Sequence, residues 1–160
     1  MLNPDEVYKF PFPKQINILV RQQSGLKNLY RVLSEALTTF YDRGGKVTRS
    51  FLDKYREGLL ISSGGLDSHF FEIAMNKTRR ELVKAAKYYD FLEVPPVSHF
   101  CYLEEERPKW QYMVQKVIKT IVEVGKELNI PVVATGDVHH LDPKDLLYRE
   151  ILINTPLVGG

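Results

Sequence analysis

An aspartate and a histidine two residues apart, Asp137 and His139, stand just after a short β-branched apolar run from Pro131 to Thr135. Gly136 permits a sharp exit from that run, and Asp142 followed by Pro143 reads as an N-cap and first helical residue. The spacing therefore places a carboxylate and an imidazole at the carboxyl end of a strand, the end that carries the chemistry in barrel-like α/β folds. Oxygen plus nitrogen is the mixed donor pair that takes zinc, manganese or iron. An isolated D-x-H is also what a helix-entry loop contains, with the Asp accepting backbone hydrogen bonds and the His on the surface. His69, near a helix start, is a further candidate ligand whose plain alternative is a cap or surface residue. His99 and Cys101 read as packing, because zinc needs about four ligands and no second pair lies at suitable spacing. Ser63-Gly64-Gly65-Leu66-Asp67-Ser68 offers a different chemistry. Glycines between a strand and a helix let the backbone approach a pyrophosphate, and the helix start supplies N–H donors. The same stretch also fits a tight turn capped by Asp67 or Ser68.

The elements that would position these residues alternate. The pattern predicts a strand from Ile16 to Arg21. A helix capped by Ser24 follows, with Leu26, Leu29, Tyr30, Leu33, Leu37 and Phe40 on one face, broken at Arg43-Gly44-Gly45. A short helix after Ser50, a buried strand from Leu59 to Ser62 and a helix opening near Asp67 come next. Thr78-Arg-Arg-Glu81 is a capping-box pattern for a helix to about Tyr89, with Leu82, Val83, Ala86 and Tyr89 inward. Phe91 to Val94 predicts the third strand, and Pro108 opens the longest helix. There Trp110, Met113, Val114, Val117, Ile118, Ile121, Val122 and Leu128 form an apolar stripe that reads as core. Pro131 to Thr135 is the fourth strand. Strands alternating with helices predict α/β architecture with parallel pairing and right-handed crossovers.

With 160 residues, 44% hydrophobic, the chain is one domain's worth and can bury a core. A net charge of +2 is too small to announce a nucleic-acid-binding surface. Lys77, Arg79, Arg80, Lys84 and Lys87 fall together on one helix and read as a solvated face. Cys101 is the only cysteine, which excludes an internal disulfide and fits a reducing cytoplasm. No apolar run approaches the ~20 residues that span a bilayer, and Met1 to Lys14 lacks a signal core, so no membrane partner is expected.

The wording of several segments goes further than their spacing. PVVATGDVHHLDPKD, from Pro131 to Asp145, with LLYREILI after it, resembles the last segment of the polymerase and histidinol phosphatase (PHP) domain in PolC-type bacterial DNA polymerase III α subunits. INILVRQQSGLKNLYRVLSEA, from Ile16 to Ala36, is similar to the segment that resumes that domain after its inserted 3'-5' exonuclease. Lys54 to Ile61 and Ala85 to Glu93 follow in family order, so the resemblance covers nearly the whole chain.

The resemblance implies a distorted (βα)7 barrel with a mainly parallel sheet, of which these units are the later part. On that reading residues 1–14 are an arm or linker and 15–160 the C-terminal part of the PHP domain. It implies metal ligands at Asp137 and His139, with Leu37 standing where a His is expected and Gly65 where a Cys is expected. His69 is the candidate substitute ligand, and His140 reads as a residue that supports the ligands or as structural. Two protein ligands hold a metal poorly, so the site reads as degenerate and the fragment as a scaffold with no cofactor of its own. The parent would use magnesium for nucleotidyl transfer elsewhere in the chain, and an intact PHP site would take zinc or manganese. The expected partners are the rest of the polymerase chain (first half of the PHP domain, exonuclease and polymerase core), and DNA through that parent. Half a barrel also leaves two open sheet edges, which predicts a homo-oligomer for the isolated chain. Two alternatives remain: a metal-dependent PHP phosphoesterase, and an ATP-binding protein with the SGGxDS loop of N-type ATP pyrophosphatases at Ser63, Gly64, Gly65, Asp67 and Ser68.

Overall fold

The computed structural model describes residues 13–41, 45–98, 109–136 and 138–155. Of the expected N-terminal arm, only Pro13 and Lys14 are among them. In chain order the elements are β1 (Ile18–Val20), α1 (Gln23–Leu37), α2 (Arg49–Lys54), β2 (Leu59–Ile61), α3 (His69–Asn76), α4 (Arg79–Ala86), β3 (Leu92–Val94), α5 (Trp110–Leu128), β4 (Val132–Ala134) and α6 (Leu146–Asn154). A 3-10 turn at Pro143–Asp145 precedes α6.

The mixed α/β character holds, while the structure shows neither a barrel nor one mainly parallel sheet. Among the described residues there are two two-stranded ladders, β1 against β2 antiparallel and β3 beside β4 parallel. They meet where Ser62 bridges Phe91 in parallel. The antiparallel pair has a topological cause. Two helices, not one, separate β1 from β2, and the chain re-enters beside the point it left, Val20 opposite Leu59 and the Arg21 N–H on the Gly58 carbonyl at 2.9 Å. Close approach there needs glycine on both sides. A Cβ on Gly25 would overlap the Gly58 carbonyl, and Gly58 itself has φ of +75°.

That contact also turns α1. Gly25, Val32 and Ala36 are its buried residues, while Tyr30, Leu33 and Leu37, expected on the inner face, are exposed. Small residues face inward because the helix lies close to the turn at Gly58 that leads into β2. Ser24 does not cap the helix either: Gln22 holds the N-cap position without a side-chain bond. Farther on, α2 starts at Arg49, ahead of the expected Ser50, and the capping signals of α3 and α4 hold. The side chains of Thr48 and Ser68 cap α2 and α3, and Thr78 with Glu81 makes the capping box of α4.

The core gathers Leu52 from α2, Ile61 from β2, Phe70 from α3, Leu82 and Ala86 from α4, Leu92 from β3, and Val114, Ile121 and Val124 from α5. Each large apolar side chain so buried contributes roughly 1.5–3 kcal/mol. The α5 stripe is thus core as expected, although Met113 is exposed and Val124 replaces it inside. Asn129, in the left-handed region at φ of 54°, ends α5 and turns the chain into β4. No helix among the described residues is long and apolar enough to cross a membrane.

Candidate functional site

The carboxyl ends of β2 and β3 carry a buried polar cluster. Ser62, Ser63 and Glu93 are each at most 4% exposed, although all three are polar. The Glu93 carboxylate accepts hydrogen bonds from Asn17 Nδ2 at 2.8 Å and from the Ser62 hydroxyl. The Ser62 Oγ in turn accepts from the Gly64 N–H at 3.1 Å, and the Glu93 N–H donates to Ser63 Oγ at 2.8 Å. Among the described residues no cation pairs with Glu93. Burying a charged or polar group costs several kcal/mol unless hydrogen bonds replace its water, and here they do. Because Asn17 precedes β1, Ser62 follows β2 and Glu93 lies within β3, one side chain ties three strands at one end of the sheet.

The Ser63–Ser68 loop is closed in the same way. Gly64 has φ of +73°, and a Cβ on it would come within 2.7 Å of the Gln15 carbonyl. The Gln15 N–H donates to the Asp67 carbonyl at 3.3 Å. Backbone from the segment before β1 therefore covers the loop where a pyrophosphate would lie. Ser68 Oγ accepts from the Phe71 N–H at 3.1 Å and so serves as helix cap. The loop is the tight capped turn, and the ATP-binding alternative is not favoured. Around Gly65 there is open space: a Cβ there would meet nothing within 4 Å.

Among the described residues, the candidate ligands His69 and His139 stand apart. His69 is half-exposed at the start of α3, its Nδ1 3.8 Å from Glu72, whose carboxylate also meets Lys14 Nζ at 3.0 Å. Burial holds the His69 imidazole below its ordinary range, with Arg49 and Lys14 adding to the effect and Glu72 opposing it. The hydrogen bond from Lys14 holds Glu72 below the usual carboxylate range. His139 and His140 line a different hollow, of about 340 Å³, with Asp145, Tyr148 and Arg149. His140 Nδ1 is buried there without a hydrogen-bond partner among the described residues. Asp145 accepts the Asp142 N–H at 3.1 Å, which fixes the entry to the 3-10 turn. Leu37, at the end of α1, is 61% exposed. Asp137, His99 and Cys101 lie outside the described residues. Among the described ones, no three His, Cys, Asp or Glu side chains stand close enough to share an ion. The described donors alone fall short of the about four ligands a structural zinc site uses.

A second cluster stitches α2 to the segment before β3. Arg56 donates to the Tyr88 carbonyl at 2.6 Å and to Asp90 Oδ2 at 3.0 Å, and Asp90 also accepts the Ile61 N–H at 2.7 Å. The guanidinium groups of Arg49 and Arg56 lie 3.1 and 4.7 Å from the centre of the Tyr88 ring. The Tyr88 hydroxyl donates to Asp53 at 2.7 Å, and burial together with that bond pushes its pKa up to about 12.

Asn17, Ser62 and Glu93 escape a motif-based reading because no motif contains them. The available signal is Glu93 itself, a carboxylate inside the buried run Phe91-Leu92-Glu93-Val94.

Comparison with known proteins agrees with the fold. The family model described as the PHP domain matches residues 6–94. The DNA polymerase III PolC-type of Streptococcus mutans is 40% identical over 152 residues, covering 94% of this chain and 10% of that protein. The protein of the same name from Latilactobacillus sakei is 40% identical over 156 residues (97% and 11%), and that from Halalkalibacterium halodurans 41% over 142 residues (88% and 10%). The chain thus spans about a tenth of the length of the curated relatives it matches. With more than half of its length matched by the family model and the strand-end cluster falling inside that match, the chain belongs to the PHP domain family.

Proposed function

We propose that this chain is the later part of the PHP module of a PolC-type DNA polymerase III α subunit and acts as a scaffold. It would brace the inserted 3'-5' exonuclease and the polymerase core, not hydrolyse phosphoesters. The observation that carries this reading is the closed end of β2 and β3. Ser62, Ser63 and Glu93 are consumed in bonds to one another and to Asn17, where a hydrolase needs ligands open to metal and substrate. Gly65 and Leu37, at positions where the family resemblance expects Cys and His, support it.

On this reading the segment holds no metal of its own, and the parent's magnesium chemistry lies in its polymerase core. The parent binds DNA in the cytoplasm, and the β1 and β4 edges face the first half of a PHP barrel. The phosphoesterase alternative lacks a donor set among the described residues.

The test uses a PolC-type polymerase carrying this segment. Glu93→Ala is expected to lower the thermal stability of polymerase and exonuclease activities together, whereas His139→Ala leaves both unchanged. A metal-dependent loss of proofreading in His139→Ala would refute the scaffold reading.

A further inference from the structure

An open groove of about 930 Å³ runs between α1 and α2, and none of the strand-end residues Asn17, Ser62, Ser63 and Glu93 lines it. Its lining includes Lys27, Arg31 and Lys54, and Glu35 is the one acid among the lining residues. None of these three cations has an ion-pair partner among the described residues, whereas Lys14, Arg56, Arg79 and Lys144 all have one. Lys27 and Arg31 are four residues apart on α1 and so share a face. Lys54 closes α2 opposite them. Arg31 and Lys54 both stand over the Tyr55 ring, at 5.4 and 5.3 Å, and Phe51 packs on that ring at 5.0 Å. These contacts hold two of the charges in place at the groove wall. Tyr30, on the same wall, is 60% exposed and has no aromatic or cationic partner among the described residues.

We infer that this groove is a binding surface for single-stranded nucleic acid, with Lys27, Arg31 and Lys54 on successive phosphates and Tyr30 stacking a base. Three cations with no ion-pair partner among the described residues, against one lining acid, give the charge complementarity, and an exposed ring among them is what distinguishes a base-stacking platform from a site for an acidic polypeptide. The inference does not rest on the scaffold reading. It concerns other residues, and either can fail without the other.

The test is fluorescence anisotropy of a labelled oligothymidylate with the full chain over a salt series. Three phosphate contacts give a slope of log K against log salt of about −2, from roughly −0.7 per neutralised phosphate on a single strand. Lys27→Gln with Arg31→Gln and Lys54→Gln should bring the slope close to zero while circular dichroism stays that of the wild type. Tyr30→Ala should weaken binding roughly tenfold at every salt concentration with the slope unchanged. Lys84→Gln with Lys87→Gln, exposed residues on α4 and at its C-terminal cap, should change neither. No binding at low salt would overturn the inference, as would an unchanged slope in the folded triple variant or an equal loss in the α4 control. Polyglutamate competing as well as the oligonucleotide would assign the groove to an acidic polypeptide instead and would likewise overturn it.

Discussion

Replacing Glu93 by Ala removes the side chain that joins β1, β2 and β3, and its cost follows from the bonds it makes. Two donors, Asn17 Nδ2 and the Ser62 hydroxyl, lose their acceptor in a place where Ser62 and Glu93 are at most 4% exposed. Hydrogen bonds to a charged group contribute about 2 kcal/mol each, so the loss is about 4 kcal/mol, a large share of the roughly 5–15 kcal/mol that stabilises a domain. With a urea slope of about 2 kcal/mol per molar, the unfolding midpoint should fall by about 2 M. Glu93→Gln keeps an oxygen for both donors and should cost only about 1 kcal/mol. Asn17→Ala and Glu93→Ala share a bond, so the double variant should be more stable than the sum of the single effects implies. Urea titrations followed by circular dichroism measure all four proteins. A midpoint for Glu93→Ala within about 0.5 M of the wild type would refute the claim that this carboxylate ties the strands together.

Other consequences are equally direct. Tyr88 should ionise only near pH 12, read as the late step of the ultraviolet titration of tyrosine. Its folded pKa lies above the unfolded value of about 10, so the stability it contributes is present below pH 10 and is lost as pH rises from about 10 to 12; Tyr88→Phe should abolish that loss. Gly25→Ala should destabilise by about 2 kcal/mol or more, because its Cβ meets the Gly58 carbonyl and backbone cannot step aside; a neutral effect in thermal melts would contradict the close approach of α1 to the turn before β2. Gly65→Cys, by contrast, enters open space and should leave the melting temperature within a few degrees of the wild type. Sedimentation velocity should show self-association at micromolar concentration, given Leu19, Val20 and Val133 exposed on edge strands; a monomer throughout would mean that the chain closes its own edges.

What was legible in the sequence is what short-range chemistry decides. The Thr78–Glu81 capping box, the cap at Asp67 or Ser68 (Ser68 in the structure), the apolar α5 stripe and the four β-branched or apolar strand segments each needed only their neighbours, and each is found. Strand direction was not legible, because it depends on how many helices intervene and where the chain returns. Nor was the inner face of α1. Its large apolar residues suggested one side, but the Gly25–Gly58 approach selected the side bearing Gly25, Val32 and Ala36. The strand-end cluster is the deepest omission. Asn17, Ser62 and Glu93 are 76 residues apart at their extremes and have no shared spacing, so only the fold reveals that they form one unit. The groove cations Lys27 and Arg31 did carry a signal, their four-residue separation, but its meaning depends on α2 standing opposite.

The central claim is that this chain keeps the PHP fold while its metal site has lost its function. Elemental analysis of the full chain, loaded with excess zinc and manganese and then dialysed without chelator, tests it most directly. The account predicts well under one ion per chain and no change in metal content on His139→Ala, whereas about one tightly held ion per chain that His139→Ala releases would contradict it.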